Sequence, residues 1–236
     1  MKKEISVIIP AYNEEQRIED TAESVVSYFR RRRYAFEVLI MNDGSTDSTL
    51  DRARSLEERL SELHVIDLGV NQGKGRAVKE GVAHAQFAYC LFMDADNATS
   101  IDEWDKFEPF FESGARAVVG SRRLPASRIV RAQPPLRRVL GGFYRGLSRG
   151  LFGLTASDFN CGFKAYETAL AKELYRRVKL LDWAFDTEVF CLLKKEGVRA
   201  EEVPVLWEHR EKKSNLAPLK AGLGTLTSLW RLKRLY

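Results

Sequence analysis

The sequence predicts an α/β fold in which helices flank a mostly parallel central sheet. The first 120 residues alternate between short apolar runs rich in β-branched residues and longer segments with apolar residues at helical spacing. Polar segments follow these runs, at the sheet edge where ligands gather in open parallel sheets. With 236 residues, of which 44% are hydrophobic and 30% charged, the chain can form a packed core.

The alternation defines the elements of the first half in order. We predict strands over 5–10, 36–41, 64–68 and 88–93, and helices over 14–33, 46–60 and 75–85. A helix between two strands brings the second strand back parallel to the first, so these four strands are expected in one parallel sheet.

The pattern changes after an apolar run over 117–121. Residues 124–135 contain three prolines and several arginines, which predicts a loop. We then predict helices over 136–152, 168–178 and 185–196, an extended segment over 200–207, and an amphipathic helix over 216–236. The apolar face of this last helix carries a tryptophan and basic flanks. It suits either a lipid headgroup boundary or packing on protein.

Cysteine content and hydropathy restrict the class of protein. The three cysteines lie far apart and form no Cys-x-x-Cys pair, so neither a disulfide framework nor a zinc site is expected. A reducing, cytoplasmic location fits this usage. No run approaches the ~20 apolar residues of a membrane-spanning helix, and the first apolar run is too short for a signal peptide.

Arginines concentrate in one part of a chain whose net charge is +5. The stretch from 122 to 149 has no acidic residue and contains Arg122, Arg123, Arg128, Arg131, Arg137, Arg138, Arg145 and Arg149. Such a band predicts an anionic partner, namely nucleic acid, a membrane surface or a phosphorylated substrate. Nucleic acid is disfavoured because aromatic residues do not interleave with these arginines.

Two carboxylates separated by one residue end the fourth predicted strand. Residues i and i+2 of an extended chain project to the same side, so Asp94 and Asp96 can reach one hard cation. Such a cation binds a diphosphate through oxygen ligands. An isolated Asp-x-Asp pair is more often a solvated turn, so the neighbouring segments decide its meaning.

Three polar segments follow the other predicted strands. Residues 10–14 and 42–49 lie at adjacent strand ends, where Asp43 can accept from a base or ribose with Glu14 nearby. In the alternative interpretation, Ser45 or Thr46 only caps the next helix. Residues 71–77 lack the spacing of a P-loop, but two glycines before a helix start suit an anion.

Together these segments resemble inverting family 2 glycosyltransferases with the GT-A fold. The first half carries this resemblance in Pro10-Ala11-Tyr12-Asn13-Glu14, Asn42-Asp43-Gly44-Ser45-Thr46-Asp47, Asn71-x-Gly73-Lys74-Gly75-x-Ala77 and Asp94-Ala95-Asp96. The second half is similar to polyprenyl (dolichyl) phosphate glycosyltransferases in Gly120-Ser121-Arg122-Arg123, Arg137-Arg138, the segment 158–164 and the segment 183–188. Within that group, Cys161-Gly162-Phe163-Lys164 and Phe185-Asp186-Thr187-Glu188 are closer to glucosyl than to mannosyl enzymes.

The resemblance implies a UDP- or GDP-sugar donor, Mg²⁺ or Mn²⁺ held by Asp94 and Asp96, and a polyprenyl phosphate acceptor at a membrane surface. The implied donor contacts are Pro10, Tyr12, Glu14, Asp43, Gly73, Lys74, Asp94, Ala95 and Asp96. The implied acceptor-phosphate contacts are Arg122, Arg137 and Arg138, and the implied catalytic set is Asp94, Asp96, Arg122, Arg138 and Asp186. The resemblance also implies that the transferred sugar is a hexose, with glucose favoured and mannose next. We expect one catalytic domain over 1–215, with a nucleotide-sugar half (1–120) and an acceptor half (121–215), followed by the helical tail (216–236).

The acceptor decides whether a base is needed. A phosphate monoester has a second pKa near ~6 and is already an anionic nucleophile at neutral pH. An alcohol acceptor would need a carboxylate base, for which Asp186 and Glu188 are candidates, although both also suit ion pairs at a helix start. Mannosyl members continue the metal motif with glutamine, whereas Asn97-Ala98-Thr99 follow here. His209 and Lys213 lie in a segment that resembles the one closing over the diphosphate in the family, although the order Lys213-Ser214-Asn215 departs from the family's. A structural role is the alternative for His209.

Two further hypotheses remain open at this stage. One keeps the fold and gives it a soluble or glycan acceptor. The other is a non-catalytic protein that binds nucleotide sugars, against which the presence of Asp43, Asp94 and Asp96 argues.

Overall fold

The computed structural model describes residues 1–182, 184–210 and 218–236, with the backbone alone for Arg137 and residues 218–226. Its strands are β1 (Glu4–Ala11), β2 (Ala35–Asn42), β3 (Leu63–Asp67), β4 (Tyr89–Met93), β5 (Ala117–Ser121), β6 (Arg128–Arg131), β7 (Phe163–Glu167), β8 (Ala200–Pro204) and β9 (Leu206–Glu208). Its helices are α1 (Ile18–Arg32), α2 (Thr49–Arg59), α3 (Lys74–His84), α4 (Glu108–Glu112), α5 (Pro135–Phe152), α6 (Thr168–Arg177), α7 (Phe185–Lys195) and α8 (Pro218–Leu235). A short 3₁₀ helix (Ile101–Lys106) precedes α4.

Seven strands form the central sheet in the order β3-β2-β1-β4-β7-β5-β8. The pairs β3–β2, β2–β1, β1–β4 and β5–β8 are parallel. Strand β7 runs antiparallel to both of its neighbours, β4 and β5. The mostly parallel α/β fold predicted from the alternating pattern is confirmed.

Apolar side chains cover both faces of the sheet. One core cluster joins the sheet to α1, α2 and the segment 101–111 and contains the buried aromatic residues Phe29, Trp104 and Phe107. The second joins it to α3, α6 and α7 through residues such as Val78, Leu174 and Leu192. Because both faces are covered, the inner strands β1, β2 and β4 are nearly continuous apolar runs.

The structure differs from the predicted elements at three places, one of which is the 3₁₀ helix and α4, in a stretch where no element is predicted. Residues 128–131 lie in the segment predicted as a loop, but they form β6, which pairs in parallel with β9 in a separate two-stranded sheet. The sequence pattern predicts no strand over 163–167, yet β7 is an inner strand of the central sheet. Elsewhere the predicted elements are present, with ends shifted by up to about four residues.

The last helix, α8, packs on the rest of the chain through its described residues. Leu229 and Leu232 are buried, and Ser228 donates to Asp182 Oδ2 (2.6 Å). The Tyr236 hydroxyl, just after the helix, donates to Glu188 Oε1 (3.0 Å). Of the two interpretations of this helix, packing on protein therefore describes its second half. No helix within the described residues combines the length and hydropathy needed to span a bilayer.

Candidate active site

The loops after β1 and β2 are joined by hydrogen bonds. The backbone N–H of Asn13 donates to Ser45 Oγ (3.0 Å), and the N–H of Thr46 donates to Asn13 Oδ1 (2.8 Å). The N–H of Glu14 donates to Thr49 Oγ1 (2.7 Å). The expectation that Ser45 or Thr46 caps α2 is wrong, because this helix begins at Thr49 and both side chains bind the loop after β1 instead.

Asp43 is buried at the end of β2 and orients a third loop. Its Oδ1 accepts from the backbone N–H of Gln72 (3.0 Å), and its Oδ2 accepts from the N–H of Gly73 (2.8 Å). The carboxylate therefore holds the loop before α3 against the end of β2. Its predicted contact with a nucleotide stays a prediction.

The two glycines before and within the first turn of α3 allow close packing on residues 178–182. Gly73 has a left-handed φ of 101°, and the N–H of Gly75 donates to Leu181 O (3.0 Å). A Cβ atom at Gly73 would come within 2.7 Å of this oxygen, and one at Gly75 within 2.8 Å. The sequence pattern associates these glycines with a bound anion. In the structure, the backbone carbonyl of Leu181 already lies close to both glycines.

Asp94 and Asp96 lie just after β4, and a lysine stands beside them. Lys74 Nζ forms an ion pair with Asp94 Oδ1 and lies 4.8 Å from the centroid of the Phe92 ring. Asp96 Oδ1 accepts from the N–H of Ala98 (3.0 Å). Burial, followed by the charge of Asp94, raises the pKa of Asp96 to about 6. Two neighbouring carboxylates with one ammonium beside them can accommodate further positive charge.

The other predicted donor contacts occupy the same edge of the sheet. Pro10 lies within the last two residues of β1, and Tyr12 follows this strand with its side chain 40% exposed. Glu14 forms an ion pair with Arg17 (3.1 Å). Ala95 is buried, and its carbonyl accepts from Thr21 Oγ1 (2.9 Å).

Gly162 lies before β7, at a position where only a residue without a side chain fits. Its carbonyl accepts from the backbone N–H of Asp94 (3.0 Å). A Cβ atom at this position would overlap with the carboxylate of Asp94. The absence of a side chain at Gly162 is therefore a condition for the position of Asp94.

Next to this site lies a buried ion pair of Asp186, as in the ion-pair alternative for this residue, with a partner that the sequence did not reveal. Lys164 Nζ and Asp186 Oδ1 are 2.6 Å apart, both side chains are buried, and Lys164 lies 5.1 Å from the centroid of the Phe92 ring. Burial raises the pKa of Asp186, and the charges of Lys164 and Lys74 offset this in part. To act directly as a base, Asp186 would have to leave this pair.

Glu188 has a structural environment. Its carboxylate accepts from the backbone N–H groups of Lys179 and Leu180 at 2.8–3.1 Å and from the hydroxyl of Tyr236. These bonds fix the loop between α6 and α7, but they are hydrogen bonds to backbone N–H groups and a hydroxyl rather than the ion pair that the alternative interpretation predicted for Glu188.

Arg122 follows β5 and is held by a carboxylate. Its Nε and Nη2 donate to the two oxygens of Asp158 at 2.6 and 2.9 Å, and its guanidinium lies 5.4 Å from the Trp207 ring. Burial alone would raise the pKa of Asp158, but hydrogen bonds and the charge of Arg122 outweigh it and hold this pKa below its usual range. Since the fork is already paired, Arg122 has only part of its donors left for an acceptor phosphate.

Further arginines lie close to Arg122. Arg123 and Arg138 line a cavity of about 300 Å³ together with Pro135 and Val139. Burial, and then the positive charges of Arg123 and Arg122, lower the pKa of Arg145. The sequence assigns no individual role to Arg123 and Arg145 within the arginine band. In the structure, their mutual repulsion marks a region suited to an anion.

Some predicted site residues lie outside the described residues. These are Trp183, Lys213 and the side chain of Arg137. His209, which the resemblance places near a diphosphate, stacks on Trp207 with ring centroids 5.8 Å apart.

A model of one protein family covers most of the chain. The description of this family is glycosyl transferase family 2, and the match runs over residues 6–197. The chain belongs to glycosyl transferase family 2. The matched residues include the segments after β1, β2 and β4 and the segment before β7, so the family predicted from these motifs is confirmed.

Relatives of this family 2 chain are similar over most of its length. It is 32% identical over 212 residues to dolichyl-phosphate beta-glucosyltransferase ALG5C of Trichomonas vaginalis, with 85% of this chain and 62% of that protein covered. It is 30% identical over 257 residues to dolichyl-phosphate beta-glucosyltransferase of Mus musculus, with 98% and 79% covered. The family 2 chain thus spans less than two thirds of the first of these relatives.

Solved structures share the fold of this family 2 chain. Mannosyl-3-phosphoglycerate synthase from Rubrobacter xylanophilus has a TM-score of 0.73 and 17% identity, covering 98% of this chain and 75% of that one. Mannosyltransferase PcManGT from Pyrobaculum calidifontis, in complex with GDP-Man and Mn²⁺, has a TM-score of 0.63 and 19% identity, covering 96% and 64%. The GT-A-like architecture expected from the motifs is confirmed.

Proposed function

We propose that this chain transfers glucose from a nucleoside diphosphate sugar, UDP- or GDP-linked, to a polyprenyl phosphate such as dolichyl phosphate at a membrane surface. The observation that carries this proposal is the pairing of two sites at one edge of the sheet. Two carboxylates suited to a metal-bound diphosphate follow β4, and a group of arginines suited to a phosphate acceptor surrounds the end of β5. The names of the relatives support the choice of sugar and acceptor.

The residues near Asp94 fit a divalent cation. Asp94 and Asp96 supply hard oxygen ligands, and burial, followed by the charge of Asp94, raises the pKa of Asp96 although Lys74 lies beside the pair. The side-chain oxygen of Asn97 is buried and has no hydrogen-bond partner among the described residues. No group of three or more His, Cys, Asp and Glu side chains in the described part could hold a metal by itself. Mg²⁺ or Mn²⁺ would therefore take its other ligands from the donor and water.

A bound cation would act as a Lewis acid that offsets the charge growing on the leaving diphosphate. The chain's own residues do the remaining work. Asp94 and Asp96 orient the donor, and Lys74 beside Asp94 adds a cation near the diphosphate. Lys164 and Asp186, which are buried behind Phe92, keep this arrangement rigid.

The arginines would hold the acceptor phosphate for attack. An anionic phosphate oxygen attacks the anomeric carbon, and the bond from this carbon to the diphosphate oxygen breaks on the opposite side, with inversion. Because the acceptor oxygen is already deprotonated near neutral pH, no general base is required. This agrees with the buried, paired state of Asp186. Arg138 and Arg123 at the cavity, with Arg122 fixed by Asp158, would bind the phosphate as forks.

One assay tests the proposal. UDP- and GDP-sugars are incubated with Mg²⁺ or Mn²⁺ and a short polyprenyl phosphate, and both nucleotide release and lipid product are measured. We expect an acid-labile glucosyl lipid that partitions into organic solvent, and no product from Asp96→Ala. Nucleotide release at the same rate with and without lipid acceptor, or full activity of Asp96→Ala, would contradict the proposal.

The acceptor site has its own test. Arg138→Ala should raise the KM for the acceptor more than the KM for the donor, because Arg138 lines the phosphate cavity on the acceptor side. The matched control is Arg199→Ala, a change at a well-exposed arginine near β8. Equal increases of both KM values in Arg138→Ala would remove the case for phosphate binding there.

A further inference from the structure

Exposed large apolar side chains concentrate on β6 and the first half of α5. Val139 is 68% exposed, Val130 64% and Phe143 63%. The β6–α5 surface consists of Ile129, Val130, Leu136, Val139, Leu140 and Phe143. A set of neighbouring apolar side chains in water is unfavourable and is typical of a surface that meets another apolar phase.

Positive charge predominates around the β6–α5 surface. Residues 113–157 contain nine arginines and no aspartate or glutamate. Arg116 and Arg122 are paired with Glu167 and Asp158, and Glu208 of β9 lies opposite Arg131. Apolar side chains beside this excess of cations complement a surface with an apolar interior and negative headgroups, which is an anionic lipid bilayer.

The apolar side chains and the arginines of α5 lie on different flanks of the helix. Leu136, Val139, Leu140 and Phe143 are spaced i, i+3, i+4 and i+7, so they share one flank of the helix. Arg138 and Arg145 are seven residues apart and share another flank, which is the side of the phosphate cavity and of Arg122. A lipid phosphate bound at the arginines would therefore have its hydrocarbon chain beside the apolar flank.

The described half of α8 offers a weaker lipid surface than α5. Its residues Leu229 and Leu232 are buried against the rest of the chain. Trp230 is 58% exposed, but the guanidinium of Arg234 lies 3.6 Å from its ring centroid. In the described half of α8, no apolar side chain other than Trp230 is as exposed as those of the β6–α5 surface.

We propose that the β6–α5 surface docks on an anionic lipid bilayer and brings the arginine cavity to the level of the headgroups. The docking surface is inferred from the exposure of its apolar side chains and the charge around them. Its use in acceptor delivery rests on the proposed function. Lipid recognition thus belongs to the middle of the chain, between β5 and β7, and not to the described half of the C-terminal helix.

Vesicle binding tests the proposal. The full chain is sedimented with vesicles of phosphatidylcholine, with or without phosphatidylglycerol. The double variant Val130→Glu/Phe143→Glu is compared with Trp230→Glu, and thermal melting confirms that both are folded. We expect salt-sensitive binding to the mixed vesicles, a loss of about tenfold or more in the double variant, and unchanged binding of Trp230→Glu.

Three outcomes would overturn it. The first is no preference of the wild-type chain for vesicles that contain phosphatidylglycerol. The second is binding that is lost in Trp230→Glu and retained in the double variant, which would assign the lipid surface to α8. The third is a concentration-dependent dimer that the double variant abolishes, because a second copy would then cover the surface.

Turnover separates this inference from the proposed function. With a short, water-soluble polyprenyl phosphate, Val130→Glu alone should retain wild-type activity, since Val130 lies on β6, away from the flank of α5 beside the hydrocarbon chain, and does not line the cavity. With acceptor embedded in mixed vesicles, its activity should fall with its binding. If no acceptor is glycosylated by the wild-type chain, the proposed function fails, while the sedimentation result still decides the docking surface.

Discussion

Gly162 controls the position of Asp94 through the side chain that it lacks. In Gly162→Ala, the added methyl group overlaps with the carboxylate of Asp94, and the neighbouring backbone is fixed by its bond to Asp94 N–H. Asp94 must then turn away. We expect Mn²⁺ binding, followed by electron paramagnetic resonance in the presence of nucleoside diphosphate, to weaken at least about tenfold, together with turnover.

The matched control for this change is Gly150→Ala. Gly150 lies in α5, and a methyl group added to it would have no other atom within 4 Å, so the same substitution there should leave Mn²⁺ binding unchanged. If Gly162→Ala bound Mn²⁺ as tightly as the wild-type chain, the position of Asp94 would not matter for the metal.

Asp158 makes the stability of the fold depend on pH. Its pKa lies below its usual range in the folded state, so its pairing with Arg122 stabilises the fold above the unfolded pKa and is lost as pH falls through the folded value. Asp158→Asn should reduce the free energy of unfolding at pH 7 by about 3 kcal/mol, because the charge of partly buried Arg122 is left unpaired. The difference from wild type, measured by urea unfolding, should narrow on acidification below about pH 4.

A surface ion pair provides the comparison. Glu167 pairs with Arg116 at 2.8 Å, and both side chains are well exposed. Glu167→Gln should change the free energy of unfolding by less than about 1 kcal/mol at any pH. A difference between Asp158→Asn and wild type that stayed constant from pH 7 to acid would show that the charge of Asp158 is not its source.

At the scale of elements, the described half of α8 is held by buried leucines on one side. Leu232→Ala removes a fully buried side chain and should lower the free energy of unfolding by about 2–4 kcal/mol in urea titrations. Trp230→Ala, on the exposed side of the same helix, should cost about 0.5 kcal/mol or less. Equal costs would mean that the helix does not pack as described.

Whether a helix or strand can be predicted from the sequence depends on how far along the chain the residues that it contacts lie. Strands β1, β2 and β4 are predictable because a buried parallel strand is a continuous apolar run. Strand β7 escapes prediction because it contains Lys164, whose burial depends on Asp186, 22 residues away. The prediction of a loop at β6 follows its proline-rich flank and is wrong because this strand exists through pairing with β9, about 78 residues later in the chain.

The same distinction applies to the candidate site. Asp94 and Asp96 are predictable as neighbours because one residue separates them, although β4 ends at Met93 and residues 95–96 form a turn rather than the extended chain that the prediction assumed. The contacts Lys74–Asp94 and Arg122–Asp158 join segments 20 and 36 residues apart, so no local pattern contains them. The predicted ligand contacts of these residues stay predictions.

At the scale of the whole molecule, donor binding and folding should be linked. The loops after β1, β2 and β4 and the loop before α3 come from four separate parts of the chain, and they meet only when the sheet is complete. A ligand that needs all of them binds the folded state alone.

Mn²⁺ and a nucleoside diphosphate together, at about 100 times their dissociation constant, should therefore stabilise the fold by about 2.7 kcal/mol. We expect the Tm to rise more with both ligands than with either Mn²⁺ or nucleotide alone. In Asp96→Asn the joint rise in Tm should be smaller than in wild type, since one carboxylate of the pair is neutral. An equal rise in Tm for Asp96→Asn and wild type would show that the nucleotide binds without the carboxylates after β4, and the metal would then have no place at this edge of the sheet.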